Sequence, residues 1–199
     1  AEGRALYVTP HHQYPTGVTL ASARRLALLG LAKRHRVCVI EDDYDHEFHY
    51  QGRPVLPLLA GDDSGVVASV GTLSKVLAPG LRLGFIVAPT ELAQRVARLR
   101  AVMDRQGDHP MEATVAELIE EGELQRHVRK MRVIYERRRD ALAKLLETRL
   151  GDTLSFELPT GGISLWAKVR RPLALDTWLS RAQHRGVVVN PGSVYRFDG

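Results

Sequence analysis

An α/β architecture, a mostly parallel sheet flanked by helices and followed by a smaller α+β unit, is predicted by three features of the 199-residue chain. Short continuous apolar runs alternate with helix-period segments through the first half. Each run ends in polar residues and lacks the strict alternation of a strand with one wet face, as expected for parallel strands buried on both sides. The second half changes to long amphipathic helices and then to short strand-like segments, which puts a change of unit near residue 98.

The elements follow in order. "ALYVT" (5–9) is a β-rich run stopped by Pro10. "TLASARRLALLGLAKRH" repeats apolar residues at Leu26, Leu29 and Ala32, a helical spacing. "VCVIE" (37–41), "VVASV" (66–70) and "LGFIVA" (83–88) read as three further buried strands. "TELAQRVARLRAVM" reads as a helix with Thr90 as its N-cap, and "HPMEATVAELIEEG" as a second stopped by Gly122. A long helix follows from Glu123, with Leu124, Val128, Met131, Tyr135, Leu142, Leu145 and Leu146 as a core-facing stripe. "TLSFELP", "GISLWAKV" and "GVVVNPG" are expected strands of the smaller unit, with a helix in "LALDTWLSRAQHRG" between the last two.

Composition narrows the class. A net charge of +5 and a 44% hydrophobic content describe an ordinary globular chain that is only mildly basic. Much of the excess charge lies in "RHVRKMRVIYERRRD", read as a solvated helix face rather than a nucleic-acid surface. The single cysteine, Cys38, sits in an apolar run and reads as a buried inert thiol, which excludes an internal disulfide framework. With no signal-peptide pattern and no apolar run long enough to span a bilayer, the expected setting is soluble and cytoplasmic, away from membranes.

Three polar motifs sit at the ends of the first three strands, where open α/β sheets gather their ligands. "TPHHQYPTG" (9–17) is a Pro/Gly turn in which Gln13 offers an amide, and His11 and His12 read as loop residues, not metal ligands. "EDDYDHEFHY" (41–50) places four acids within five positions. Such a group is a solvated loop, a metal–phosphate site, or a carboxylate under a protonated ring nitrogen. "VGTLSKVLAPGLRLGF" (70–85) sets Thr72, Ser74, Lys75 and Arg82 around one turn. A lysine amine attacks carbonyls, and hydroxyls with a guanidinium suit a dianionic phosphate, so the simplest ligand is a phosphate-bearing aldehyde.

In this order and spacing, "PHHQYPTG", "EDDYDHEFHY" and "GTLSKVLAPGLRLGF", with "EGELQRHVRKMRVIYERRRDAL", resemble the aminotransferase-like domain of the MocR branch of GntR-type transcription regulators. The resemblance covers essentially the whole chain. It implies part of a fold-type I large domain over 1–97 that binds pyridoxal 5′-phosphate. Residues 98–199 are then the interdomain helices and a small α+β domain, incomplete at its C-terminus. It further implies that Lys75 bonds to the cofactor aldehyde and Asp42 pairs with the pyridinium nitrogen. Tyr44 and Gln13 approach the phenolic oxygen, and Thr72, Ser74 and Arg82 share the phosphate. Asp43 is the rival for the pyridinium role, and Asp45 is the control position.

The resemblance implies a homodimer in the parent protein, a small amino compound as effector or substrate, and DNA contact only through an N-terminal domain absent from this chain. It also implies that the segment laid over the cofactor ring, and the arginine that grips a substrate carboxylate, lie outside the chain. A regulatory sensor domain is the leading reading. An amino-acid aminotransferase and a fragment without ligand are the alternatives. The spacing of Asp42 and Tyr44, two residues apart, favours the regulator branch.

Overall fold

The computed structural model describes residues 4–52, 55–105 and 107–196. Four strands form one sheet in the order β1 (Ala5–Val8), β2 (Cys38–Asp43), β3 (Val67–Thr72) and β4 (Gly84–Val87). The first three are parallel, with Val8 opposite Glu41 and Asp42 opposite Val70; β4 returns antiparallel, with Gly84 opposite Thr72. The C-terminal ends of β1, β2 and β3 therefore share one edge with the start of β4. All three polar motifs leave the sheet at that edge.

β2 shows how the sheet sorts its residues. Val39, Glu41 and Asp43 are buried on one face, while Cys38, Ile40 and Asp42 are half-buried on the other. Helix α1 (Ser22–His35) packs against the first face through a core of Ala32, Val39, Leu58 and Val67. Its last turn carries Lys33, Arg34 and His35, which suit the negative end of the helix dipole. The opposite face stays open at its margins: Tyr7 is 61% exposed and Ile86 45%.

Beyond the sheet come α2 (Thr90–Met103), α3 (His109–Glu120) and α4 (Glu123–Leu150), then the antiparallel pair β5 (Leu154–Phe156) and β6 (Ala167–Val169), and α5 (Leu175–His184). The predicted change of unit near residue 98 falls inside α2. Among the described residues no helix is long and apolar enough to cross a membrane.

Three expectations shift. Thr90 is the first helical residue and Pro89 occupies the N-cap; the capping side chain is found at α3, where Asp108 accepts from the Met111 N–H at 3.1 Å. Gly122 does stop α3, following the C-cap Glu121 in the left-handed region with its N–H on the Ile119 carbonyl at 3.1 Å, and it is also the N-cap of α4. The stripe on α4 is half-buried at Leu124, Val128, Met131, Tyr135 and Leu146, but Leu142 and Leu145 are exposed, and Arg139 and Ala143 are buried instead. "GVVVNPG" forms no strand, since its backbone groups find no ladder partner among the described residues, and Val187–Val189 stand exposed.

Candidate functional site

The register decides which acids face which side. Tyr7 lies opposite Ile40, and Asp42 opposite Val70. Partners in a ladder point to the same side and alternate residues to opposite sides. Tyr7, Asp42 and Thr72 thus share the open face, and the Tyr7 hydroxyl donates to Asp42 Oδ2. Burial, and then this bond and the Asp42 charge, push the Tyr7 hydroxyl up to about 12.

Asp43 turns the other way, into the α1 side. Nδ1 of His11 and Nδ1 of His46 approach its Oδ2 at 3.2 and 3.1 Å. Burial alone would raise the Asp43 pKa, but the two histidines outweigh it and hold the carboxyl well below the usual range. The reverse effect raises His46, mainly through its bond to Asp43, against the opposing pull of burial. His11 Nε2 donates to the Val55 carbonyl at 2.6 Å, which fixes the ring.

Glu41 is fully buried on the same side, accepting from the Leu58 and Leu59 N–H groups at 2.7 and 3.2 Å. Nearby, Arg25 is buried and ties three chain segments together. Nε donates to Leu20 O at 2.9 Å, Nη1 to Leu56 O at 2.9 Å and Nη2 to Pro10 O at 2.7 Å. The acid loop is therefore not a solvated one: two of its four acids are structural partners within the α1 side, and Asp42 alone faces the open side of the sheet.

The fourth acid, Asp45, is buried at 1% exposure and accepts from His12 Nδ1 at 2.7 Å. It is no neutral control position, and His11 and His12 are not free loop residues but buried partners of this loop. Tyr44 donates its hydroxyl proton to the main-chain oxygen of His12 at 2.9 Å, and burial is the first cause of its raised pKa, followed by the Asp45 charge.

The lysine loop leaves β3 at the same edge. Thr72 Oγ1 accepts from the Ser74 N–H at 3.1 Å, and Leu73 N–H closes the loop on the Leu83 carbonyl at 3.0 Å. Val76 is buried, which leaves Lys75 beside it pointing outward. Lys75 and Arg82 are exposed and have no side-chain hydrogen bond or ion pair among the described residues. Arg82 sits at φ 52°, a left-handed conformation that re-aims the chain between the short turn at Pro79–Leu81 and β4. From the other side, His127 of α4 donates to the Val76 carbonyl at 3.0 Å. Twelve residues further along the same helix, Arg139 donates to the Pro159 carbonyl at 2.7 Å and stacks over the Tyr50 ring at 4.7 Å.

The structure thus brings Asp42 and Thr72 onto one face and carries Tyr44, Ser74, Lys75 and Arg82 on the two loops that leave the same edge. The Gln13 amide is exposed and, among the described residues, donates only to the neighbouring Tyr14 carbonyl, at 3.4 Å. Sequence reading missed Tyr7. A lone hydroxyl in an apolar strand is itself the signal, because a tyrosine there wants a polar partner. It also missed Tyr14, whose hydroxyl lies 2.8 Å from that of Tyr195 and whose ring meets Tyr44 edge-on.

Comparison with known proteins gives a consistent result. The family described as aminotransferase class I and II matches residues 6–199. The probable rhizopine catabolism regulatory protein MocR of Rhizobium meliloti is 37% identical over 191 residues, covering 94% of this chain and 38% of that protein. Aromatic-amino-acid aminotransferase 1 of Thermococcus litoralis is 33% identical over 192 residues, covering 96% of the chain and 46% of the enzyme. Among solved structures, a Pyrococcus horikoshii kynurenine aminotransferase superposes with a TM-score of 0.86 at 31% identity, over 95% of this chain and 47% of that one. The chain spans less than half the length of these relatives.

Proposed function

The chain belongs to the class I and II aminotransferase family, and we propose that it is the pyridoxal-phosphate-binding sensor portion of a MocR-type transcription regulator. The observation that carries this reading is the sorting of the acid loop. Asp43 and Asp45 are consumed by buried histidines, while Asp42 is presented on the face and at the edge that also carry Thr72 and the lysine loop.

The donor set fits the cofactor by its chemistry. A carboxylate faces outward where a protonated ring nitrogen needs one. An amine with no partner among the described residues suits an aldehyde, and a guanidinium and two hydroxyls carried at the same sheet edge suit a phosphate. Bound there, pyridoxal 5′-phosphate supplies an aldehyde that captures amines and a ring that draws electrons from the captured compound. In this reading Asp42 keeps the ring nitrogen protonated, and Tyr7 steadies Asp42. Lys75 anchors the aldehyde, Tyr44 lies toward the phenolic oxygen, and Thr72, Ser74 and Arg82 hold the phosphate. Gln13 lies toward the same phenolic oxygen. Residues 1–97 belong to the cofactor-binding unit and 98–199 to the interdomain helices and small domain. The effector is a small amino compound, DNA is contacted through a helix-turn-helix domain outside this chain, and the working form is a homodimer.

The second reading, an amino-acid aminotransferase, draws on the likeness to the Thermococcus litoralis enzyme. One experiment addresses both. After cofactor addition, borohydride reduction and peptide mapping are expected to place the pyridoxyl group on Lys75, with little sustained keto-acid formation from common amino acids. A label elsewhere refutes the site, and steady multiple turnover replaces the sensor with the enzyme.

A further inference from the structure

The loop at residues 45–50 and the corner at residues 160–162 are stitched together by hydrogen bonds. Tyr50 N–H donates to Thr160 O at 2.9 Å, and Gly162 N–H to Phe48 O at 2.7 Å. The Tyr50 hydroxyl donates to Gly162 O at 2.8 Å. His12 sits in the angle between the two segments, 5% exposed, with Asp45 on one edge of its ring. The other edge closes on bare α-carbons. A Cβ on Gly161 would stand 2.6 Å from His12 Nε2, and one on Gly162 would stand 3.3 Å from Cγ. An imidazole gripped by a buried carboxylate and two glycines has one position available. The main-chain oxygen of that same residue takes the Tyr44 proton. A carbonyl has no proton to give, so this bond fixes where Tyr44 spends its only one.

We infer that the His12–Asp45 pair is a positioning unit for Tyr44: it fixes the oxygen that holds the Tyr44 proton, and it ties that setting to the 160–162 corner. The inference rests on the reading that Tyr44 lies toward the phenolic oxygen of the cofactor. With its proton directed at the His12 carbonyl, the Tyr44 hydroxyl would meet that phenolic oxygen only as an acceptor. The electronic state of the bound cofactor consequently depends on a packing contact that touches no ligand.

The test loads the protein carrying this chain with pyridoxal 5′-phosphate and reads the pH midpoint of the bound cofactor's absorption band, with borohydride labelling of Lys75 alongside. The variants are His12→Ala, His12→Asn, Gly161→Ala and Tyr44→Phe, with Asp45→Asn in place of His12→Ala where that variant does not fold. Lys75 is expected to label in each. In His12→Ala and Gly161→Ala the midpoint moves toward that of Tyr44→Phe by about 0.5–1 pH unit, the size of one altered hydrogen bond near a titrating group. In His12→Asn, whose amide nitrogen overlays Nδ1, the midpoint stays with the parent. A midpoint unmoved in His12→Ala and Gly161→Ala but moved in Tyr44→Phe overturns the inference. A midpoint unmoved in Tyr44→Phe, with Lys75 labelled, also overturns it and leaves the cofactor reading standing. No label on Lys75 in the parent overturns the cofactor reading itself.

Discussion

Replacing Arg25 with Met keeps the aliphatic stem and removes the guanidinium. Three carbonyls lose a donor, at Leu20, Leu56 and Pro10. Pro10 O retains the Leu20 N–H at 3.0 Å, so the main orphans are Leu20 O and Leu56 O. A buried orphaned acceptor costs about 1–3 kcal/mol, and these two, being only partly buried, fall toward the low end. Two more consequences pull in opposite directions. Burial lowers the Arg25 pKa, so removing the charge relieves a desolvation cost. Glu41 and Asp43 oppose that lowering, so both lose a nearby cation. Among the described residues Arg25 makes no ion pair with either acid, so these charge effects largely offset each other and the two carbonyls set the net loss at about 1–3 kcal/mol. Urea denaturation followed by circular dichroism measures it, with Arg25→Lys as a partial rescue, because an ammonium reaches fewer of the three acceptors. A loss below about 1 kcal/mol would refute the view that this arginine organises the turn after β1. Because that turn carries His12, cofactor affinity should fall with stability.

Four further outcomes follow from the same geometry. Asp42→Asn should weaken cofactor binding at least about tenfold at nearly unchanged melting temperature, whereas Asp43→Asn should lower the melting temperature more than the affinity; equilibrium dialysis and calorimetry separate the two. Lys75→Ala should abolish covalent retention of the cofactor through gel filtration after borohydride. Gly162, at φ 82° with Asp45 Oδ2 2.9 Å from any added Cβ, should cost about 1–3 kcal/mol when changed to Ala, read from a denaturation midpoint. The Asp43–His46 contact should be strongest between about pH 4 and 6.5. The depressed Asp43 contributes stability above its unfolded pKa that is lost as pH falls through its folded value. The raised His46, which also faces Glu47 and Asp45, contributes below its unfolded pKa and loses that share as pH rises through its folded value. A His46→Gln variant whose melting temperature tracks the parent across that window would contradict this.

Much of this organisation is legible in the amino-acid order because it is local. Continuous apolar runs mark the strands, and the polar motifs after them mark the edge that carries the candidate site. What stayed hidden depends on partners far along the chain. His11 and His12 look like turn residues until β1 and β2 are laid side by side, which brings Asp43 and Asp45 to them across 32 and 33 positions. Asp42 and Asp43 are adjacent and chemically alike, and only the pairing of β2 with β3 tells which one turns outward. Val187–Val189 carry strong β-propensity, yet a strand exists only where a neighbour accepts its hydrogen bonds.

α4 acts as a beam with two bearings. One is at His127, against the carbonyl beside Lys75, and the other at Arg139, against the 159–162 corner. The twelve residue steps between them make an arm of about 18 Å at 1.5 Å per residue. Pivoted at Arg139, a tilt of only about 3° would carry the far bearing through about 1 Å, a displacement that at a reacting centre is worth about a hundredfold in rate. The main chain beside Lys75 is therefore braced from the other half of the chain, and, in the proposed cofactor reading, mutations around Arg139, Tyr50 and Pro159 are expected to shift the loop that carries this lysine.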